Sequence, residues 1–501
     1  MLAPRQHHKR TIPRTKMASL ADDHVHSAGR MQAYSDAIFS IVATIMILPV
    51  AHTEIPEDKN LREVIFYRLL PKILIYILTF FVVAISWTAH VWLFQIVRRA
   101  DDVTTLLNLF IMMIITFLPF TFTLMGTFPE YVLAIVLFSV CIIVLGVAQA
   151  LVVLHVFRNP QIMEESIKNS ENKVAVRNAL LLRVLVNPIL CTLAAVFSPA
   201  SNVISYIFLV MILFSPNIAV QLSKLISKCS GSVQVSQEVI RRGKSYEMEV
   251  NKERVECYSD GVFAIVATLI ILDICEKDIP SVADLEIKYK NDLAAALNHD
   301  SSVFLAYFGT FATVGLLWYI HHSLYHHLKR TSRLMAMFNN FSLAMIGGMP
   351  LAFQLTSMYK DTDFYNNERV AIQLSCVIIF LASISQLAIF VTALFRPDQD
   401  LTDSARVGGR SHYYLLVKLL VYPTVSMTIY VISLTSDVLS VEAFHVAQLG
   451  TPVLFFILWL IVIQIQRNVQ DVLNPEENST QEGSNNEEQA LLTAPPENIA
   501  C

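Results

Sequence analysis

Residues 30–44 read Arg30-Met31-Gln32-Ala33-Tyr34-Ser35-Asp36-Ala37-Ile38-Phe39-Ser40-Ile41-Val42-Ala43-Thr44, and 224 residues later the chain reads Arg254-Val255-Glu256-Cys257-Tyr258-Ser259-Asp260-Gly261-Val262-Phe263-Ala264-Ile265-Val266-Ala267-Thr268. Both copies of Arg-x-x-x-Tyr-Ser-Asp run directly into apolar sequence long enough to enter a bilayer. An arginine and a carboxylate at the mouth of a membrane helix are costly, and such groups face a protein interior, a cavity or an ion path. Carrying the arrangement twice points to one site that uses both copies on a pseudo-symmetry axis.

The duplication extends past this segment. Trp87 and His90 match Trp318 and His321, each pair as Trp-x-x-His. Asn108 and Pro119 follow at the spacing of Asn339 and Pro350, and Arg183 and Pro188 are echoed by Lys418 and Pro423. Twelve apolar stretches are long enough to span, near 31–51, 70–96, 104–126, 131–157, 179–198, 202–223, 255–274, 302–328, 335–357, 369–395, 413–435 and 443–466. Each half therefore holds six spans and starts on the same side, a parallel repeat. The expected fold is all-α: a polytopic membrane protein of two parallel six-helix repeats.

Composition agrees. Of 501 residues, 54% are hydrophobic and 16% charged, with a mean hydropathy of +0.52, too apolar for a soluble chain of this size. The organisation reads as an N-terminal arm (1–29), a first repeat (30–223), a polar connector (224–253), a second repeat (254–466) and a polar tail (467–501). The N-terminal stretch is polar and carries no cleavable signal peptide pattern. Basic residues collect in the arm (Arg5, Lys9, Arg10), after the second span (Arg98, Arg99), in the connector (Arg241, Arg242, Lys244) and after the eighth span (Lys329, Arg330). Acids favour the alternate loops, so the positive-inside rule puts both termini in the cytosol.

On a helix of 100° per residue, Ser40, Ile41 and Thr44 lie within roughly 100° of one another, with Asp36 about 140° from Ile41. Leu48 extends that stripe, and Ala264, Ile265, Thr268 and Leu272 repeat it beside Asp260. The isoleucines are expected on the axis, with each aspartate facing its own half-bundle. Trp87, His90 and Asn108, and Trp318, His321 and Asn339, supply indole, imidazole and amide donors for a half-buried carboxylate. With Arg30, Ser35, Asp36, Arg254, Ser259 and Asp260 they form a candidate hydrogen-bond clamp. The clamp either knits the bundle or sets where the isoleucines sit. A ring of isoleucines closes a pore by dewetting; the alternative is ordinary helix packing. One chain has two such helices, so a four-helix pore needs a homodimer.

Other chemistry is not indicated. No Walker A, Gly-x-Ser-x-Gly or His-Glu-x-x-His pattern occurs, so neither an enzyme nor a cofactor is expected. The seven cysteines are scattered without a Cys-x-x-Cys pair, and the His321, His322, His326 and His327 cluster reads as interface decoration rather than a metal site. There is no Thr-Val-Gly-Tyr-Gly carbonyl filter and no nucleic-acid signature. In the tail, Glu487 four residues before Leu491-Leu492 forms an adaptor-read sorting signal for endosomes and lysosomes if the tail is cytosolic.

The doubled Arg-x-x-x-[Phe/Tyr]-Ser-Asp motif, each copy opening a six-helix unit, resembles the transmembrane protein 175 family of endolysosomal potassium channels. The resemblance spans roughly residues 28–470, with Tyr34 and Tyr258 where that family usually has Phe. It implies a homodimer of twelve-span subunits in endosomal and lysosomal membranes, passing K+ and, at acidic luminal pH, H+. By motif position, Ile41 and Ile265 would form the constriction and Ser40, Thr44 and Thr268 the neighbouring polar residues. His52, Asp273 and Glu276, at the luminal ends of the first and seventh helices, could then sense acid. Two rivals remain at this point: a twelve-helix secondary transporter of the major-facilitator type, and a non-conducting scaffold whose tail recruits partners.

Overall fold

The computed structural model describes residues 26–51, 53, 60–169, 173–229, 251–277, 279, 281–299, 301–358, 365–409, 411–435 and 437–473. Among them are twelve helices long and apolar enough to cross a membrane, here spans 1–12: Ala28–Ala51, Leu61–Gln95, Asp102–Thr127, Val132–Arg158, Lys173–Phe197, Asn202–Ile226, Lys252–Cys275, Val303–His327, Arg333–Met358, Asn366–Leu394, His412–Thr435 and Leu439–Val462. The chain is all-α in the sense the sequence implied.

Matching positions in the two repeats start matching helices. Asp101 caps span 3, accepting from the Thr104 amide at 2.9 Å, and Ser332 caps span 9, accepting from Met335 N at 3.3 Å. Interruptions also have local causes. Span 1 turns at Met46–Ile47, just before Pro49, whose ring clashes with a continuing helix. Span 9 breaks at Gly347–Gly348. There the Tyr76 hydroxyl, from span 2, donates to Ala344 O at 2.9 Å and occupies the space that a Cβ on Gly347 would need. Thus one tyrosine satisfies a carbonyl freed by the break and joins the two repeats.

Spans 1 and 7 pack side by side. Phe39, Val42 and Ala43 of span 1 and Val262, Phe263 and Val266 of span 7 are buried in one continuous core that runs through both repeats. Spans 3 to 6 pack in sequence, 3 on 4, 4 on 5 and 5 on 6, and spans 9 to 12 do the same. Such close approach needs small residues. A Cβ on Gly146 of span 4 would lie 2.9 Å from Pro188 Cδ of span 5.

The loops at the motif end are duplicated too. Val97 bridges Met163 in the first repeat and Leu328 bridges Leu401 in the second. Backbone bonds accompany each bridge, Glu164 N to Ile96 O and Thr402 N to His327 O, both 2.9 Å. The chain enters span 1 through a two-residue ladder, His26–Ser27 against Arg99–Ala100. At the opposite end, Leu61 N donates to Asn367 Oδ1 at 2.9 Å, a second tie between repeats.

Candidate functional site

Each repeat builds a polar relay at the motif end of its leading helix. In the first, His90 Nε2 lies 2.8 Å from Asn108 Oδ1, Asn108 Nδ2 donates to Ser35 Oγ at 3.1 Å, and Ser35 Oγ donates to Met31 O at 2.9 Å. Read in that direction, Nε2 of His90 carries the proton. In the second, His321 Nε2 lies 2.9 Å from Asn339 Oδ1, Asn339 Nδ2 donates to Ser259 at 3.0 Å, and Ser259 donates to Val255 O at 2.7 Å. Phe39 and Phe263 pack their rings on His90 and His321, with centroids 5.3 and 5.5 Å apart. The relays bind the serines; the aspartates are held separately.

Asp36 accepts from Trp87 Nε1 at 2.7 Å, and Asp260 accepts from Trp318 Nε1 at 2.8 Å. Beyond the indoles the two sites differ. Arg254, from the second repeat, donates Nη2 to Asp36 Oδ1 at 2.7 Å and sets Nε 2.6 Å from Oδ2, off-line enough that the latter contact is purely ionic. Asp36 is 1% exposed and Arg254 is buried with it. Tyr258, fully buried, stacks on Trp87 with centroids 4.4 Å apart and planes 20° from parallel. Asp260 and Arg30 are both exposed, and Asp260 has no arginine partner among the described residues. Trp318 is 39% exposed against 2% for Trp87, and Tyr34 is 50% exposed against 0% for Tyr258. One complete and one half-built clamp result.

The stripe behind the motif splits the same way. Ile41 is 41% exposed, while Ser40 and Thr44 are buried, Ser40 against Gly261 of span 7. Ser40 Oγ donates to Ala37 O at 2.8 Å and Thr44 Oγ1 to Ser40 O at 2.9 Å. In span 7 the opposite side is bare: Cys257, Asp260, Ala264, Thr268 and Leu272 are exposed, and Ile265 is half-buried like Leu48. Thr268 Oγ1 donates to Ile265 O at 2.8 Å. The sequence stripe treated Ser40, Ile41 and Thr44 as one surface; in the fold both hydroxyl residues are buried, Ser40 against span 7, and the isoleucine is exposed.

Asp273 lies half-buried near the far end of span 7, and Glu276 falls in the last turn of the same helix. His52, Glu487, Leu491 and Leu492 lie outside the described residues. His322 stacks on Trp318, and no group of three or more His, Cys, Asp or Glu is arranged for a metal among the described residues.

Sequence reasoning placed Arg30 and Arg254 in the clamp without a partner and so missed that Arg254 crosses to Asp36. It also missed Gly261, where a Cβ would lie 2.9 Å from Ser40 Cβ. A signal was available: the copies differ at two small positions one turn apart, Ala37 against Gly261 and Ser40 against Ala264. A third omission is Asp101. Burial alone would raise its pKa, but hydrogen bonds from Thr104 and from His155, whose Nε2 lies 2.8 Å away, hold it below the ordinary carboxylate value.

The family model described as "Endosomal/lysosomal potassium channel TMEM175" matches residues 30–119 and again 254–350, the opening of each repeat. The zebrafish (Danio rerio) protein named "Endosomal/lysosomal proton channel TMEM175" is 44% identical over 463 residues, covering 92% of this chain and 89% of that one. The chicken (Gallus gallus) protein of the same name is 44% identical over 442 residues, with 86% and 87% covered. The human (Homo sapiens) protein of that name is 42% identical over 451 residues, with 88% of each covered. These matches do not favour the twelve-helix carrier.

Proposed function

The chain belongs to the TMEM175 family of ion channels, and on that premise we propose that it is a cation pore of endosomal and lysosomal membranes, conducting K+ and, when the lumen is acidic, H+. No covalent chemistry is involved. Two copies supply spans 1 and 7 to a common axis, with both termini of each chain in the cytosol.

The observation that carries this reading is the half-built clamp. Asp36 has an indole, an arginine from the other repeat and a stacked tyrosine around it, whereas Asp260 has the indole alone. A second copy related by a half-turn brings its Arg30 to Asp260 and its Tyr34 to Trp318, so each chain completes the other. The four leading helices then enclose an axis, and the exposed Ile41 and half-buried Ile265 form its neck. A narrow apolar neck excludes water and hence hydrated ions until it widens. Thr268, and Ser40 and Thr44 at the helix contact, supply the hydroxyls nearest the neck, and Leu48 and Leu272 line the next turn. Asp273 and Glu276 belong to the last turns of span 7, at the luminal mouth. The sorting signal at Glu487, Leu491 and Leu492 addresses the channel through adaptor proteins.

Purified protein reconstituted alone into liposomes tests the function. A potassium gradient should drive a flux that grows when the lumen-equivalent side is acidified and protons also pass. Absence of any flux from correctly folded protein would leave only a scaffold role.

A further inference from the structure

The two leading helices differ by a reciprocal exchange of small residues. Position 37 is Ala in the first repeat and Gly261 in the second; position 40 is Ser in the first and Ala264 in the second. Within the chain, Gly261 faces Ser40. A methyl group on residue 261 would stand 2.9 Å from Ser40 Cβ and closer still to its hydroxyl, and nothing else lies within 4 Å of that position. Glycine is therefore required there, because the serine side chain fills the space.

The repeat maps Ser40 onto Ala264 and Gly261 onto Ala37. Where a second copy completes the clamp on Asp260, the exposed Ala264 face of span 7 meets the exposed Ala37 face of the other copy's span 1. The within-chain seam then holds a serine against no side chain, and the between-chain seam holds one methyl against another. Each seam contains two side-chain heavy atoms, divided in opposite ways. The match is not perfect. An identical backbone approach would set the two methyls 2.9 Å apart, short of the roughly 3.5–4.0 Å carbon contact optimum, so the between-chain seam stands wider by about 0.5–1 Å.

We propose that Ala37 of one chain against Ala264 of a second copy is the seam that closes the pore, and that it stands wider than the Gly261–Ser40 seam within each chain. The proposal rests on the dimeric pore and names the contact that builds it. Ile41 and Ile265 consequently stand at unequal distances across the neck. The seam also has a steric rule: serine is accommodated on one side only where the other side is glycine.

The test uses full-length protein in which Cys229, Cys257, Cys275 and Cys501 are replaced by serine. Ala37→Cys combined with Ala264→Cys should form an interchain disulfide under mild oxidation at least about ten-fold more than either single variant, because facing methyl carbons at such a seam have the Cβ separation a disulfide needs. Ala264→Ser alone should raise the dimer dissociation constant by about ten-fold through overpacking, and adding Ala37→Gly should restore it to within about two-fold. A dimeric mass by light scattering without the disulfide, or without rescue by Ala37→Gly, overturns the seam and leaves the dimer standing. A monomeric mass of active protein overturns both.

Discussion

Arg254 opens the second repeat, yet its guanidinium pairs with Asp36 of the first, Nε 2.6 Å from Oδ2, inside a core that excludes water. The pair locks span 1 to span 7 at the end where both enter the membrane. It also makes the two aspartates of a duplicated motif unequal, one satisfied within the chain and one exposed beside an indole. A duplicated sequence thus produces a non-duplicated site.

The inequality separates two classes of variant. Arg254→Ala leaves a buried carboxylate without its charge partner and should destabilise the single chain by about 3–5 kcal/mol, seen as a lowered melting temperature in detergent at any protein concentration. Arg30→Ala should leave the melting of the isolated chain unchanged and reduce the dimer fraction by light scattering. Equal effects of the two substitutions on melting would show that the arginines play one role, not two.

Asp101 gives a pH-dependent prediction. Its folded pKa lies below the ordinary value, so the stability it contributes is present above that value and is lost as the pH falls through the folded pKa. Asp101→Asn removes the charged acceptor facing His155 while retaining a cap for Thr104, and should cost about 1 kcal/mol at pH 7. The difference from the unaltered protein should shrink once the pH is below about 4. Thermal unfolding followed by tryptophan fluorescence across that range checks it; a difference that widens in acid would contradict it.

Tyr76 should behave as a hydrogen-bond donor and not only as packing. Tyr76→Phe keeps the ring but leaves Ala344 O without the partner it has at 2.9 Å. The expected loss is about 1–3 kcal/mol, because the carbonyl is buried at a helix break. Gly347→Val should cost more, since its side chain takes the space of the tyrosine hydroxyl. A Tyr76→Phe variant as stable as the parent would remove the tie between repeats from the account.

Much of this fold was legible because membrane helices declare themselves by length and hydropathy, and the repeat located the equivalent Trp-x-x-His, Asn and Pro positions of the two halves. The relay contacts themselves follow from spacing: Trp87 and His90 lie about one turn apart, on the side of span 2 that packs on span 1. Periodicity could not say which neighbour each face of span 1 would meet. Ser40, Ile41 and Thr44 fall within one arc, yet the fold buries the two hydroxyl residues, Ser40 against span 7, and leaves the isoleucine out. For the same reason the partner of Asp36 was hidden: Arg30 and Arg254 are equivalent in sequence, and the choice between them depends on which helix lies alongside. The reciprocal change at Gly261 and Ala264 was a local mark of that pairing.

The central claim is that Ile41 and Ile265 converge on a closed apolar neck, and single-channel recording of purified protein in a planar bilayer under a potassium gradient tests it most directly. Ile41→Asn and Ile265→Asn should each wet the neck and raise the resting potassium leak by at least about ten-fold, and the two together should exceed either alone. Currents and open probabilities identical to those of the unaltered channel, from variants that still assemble, would contradict it.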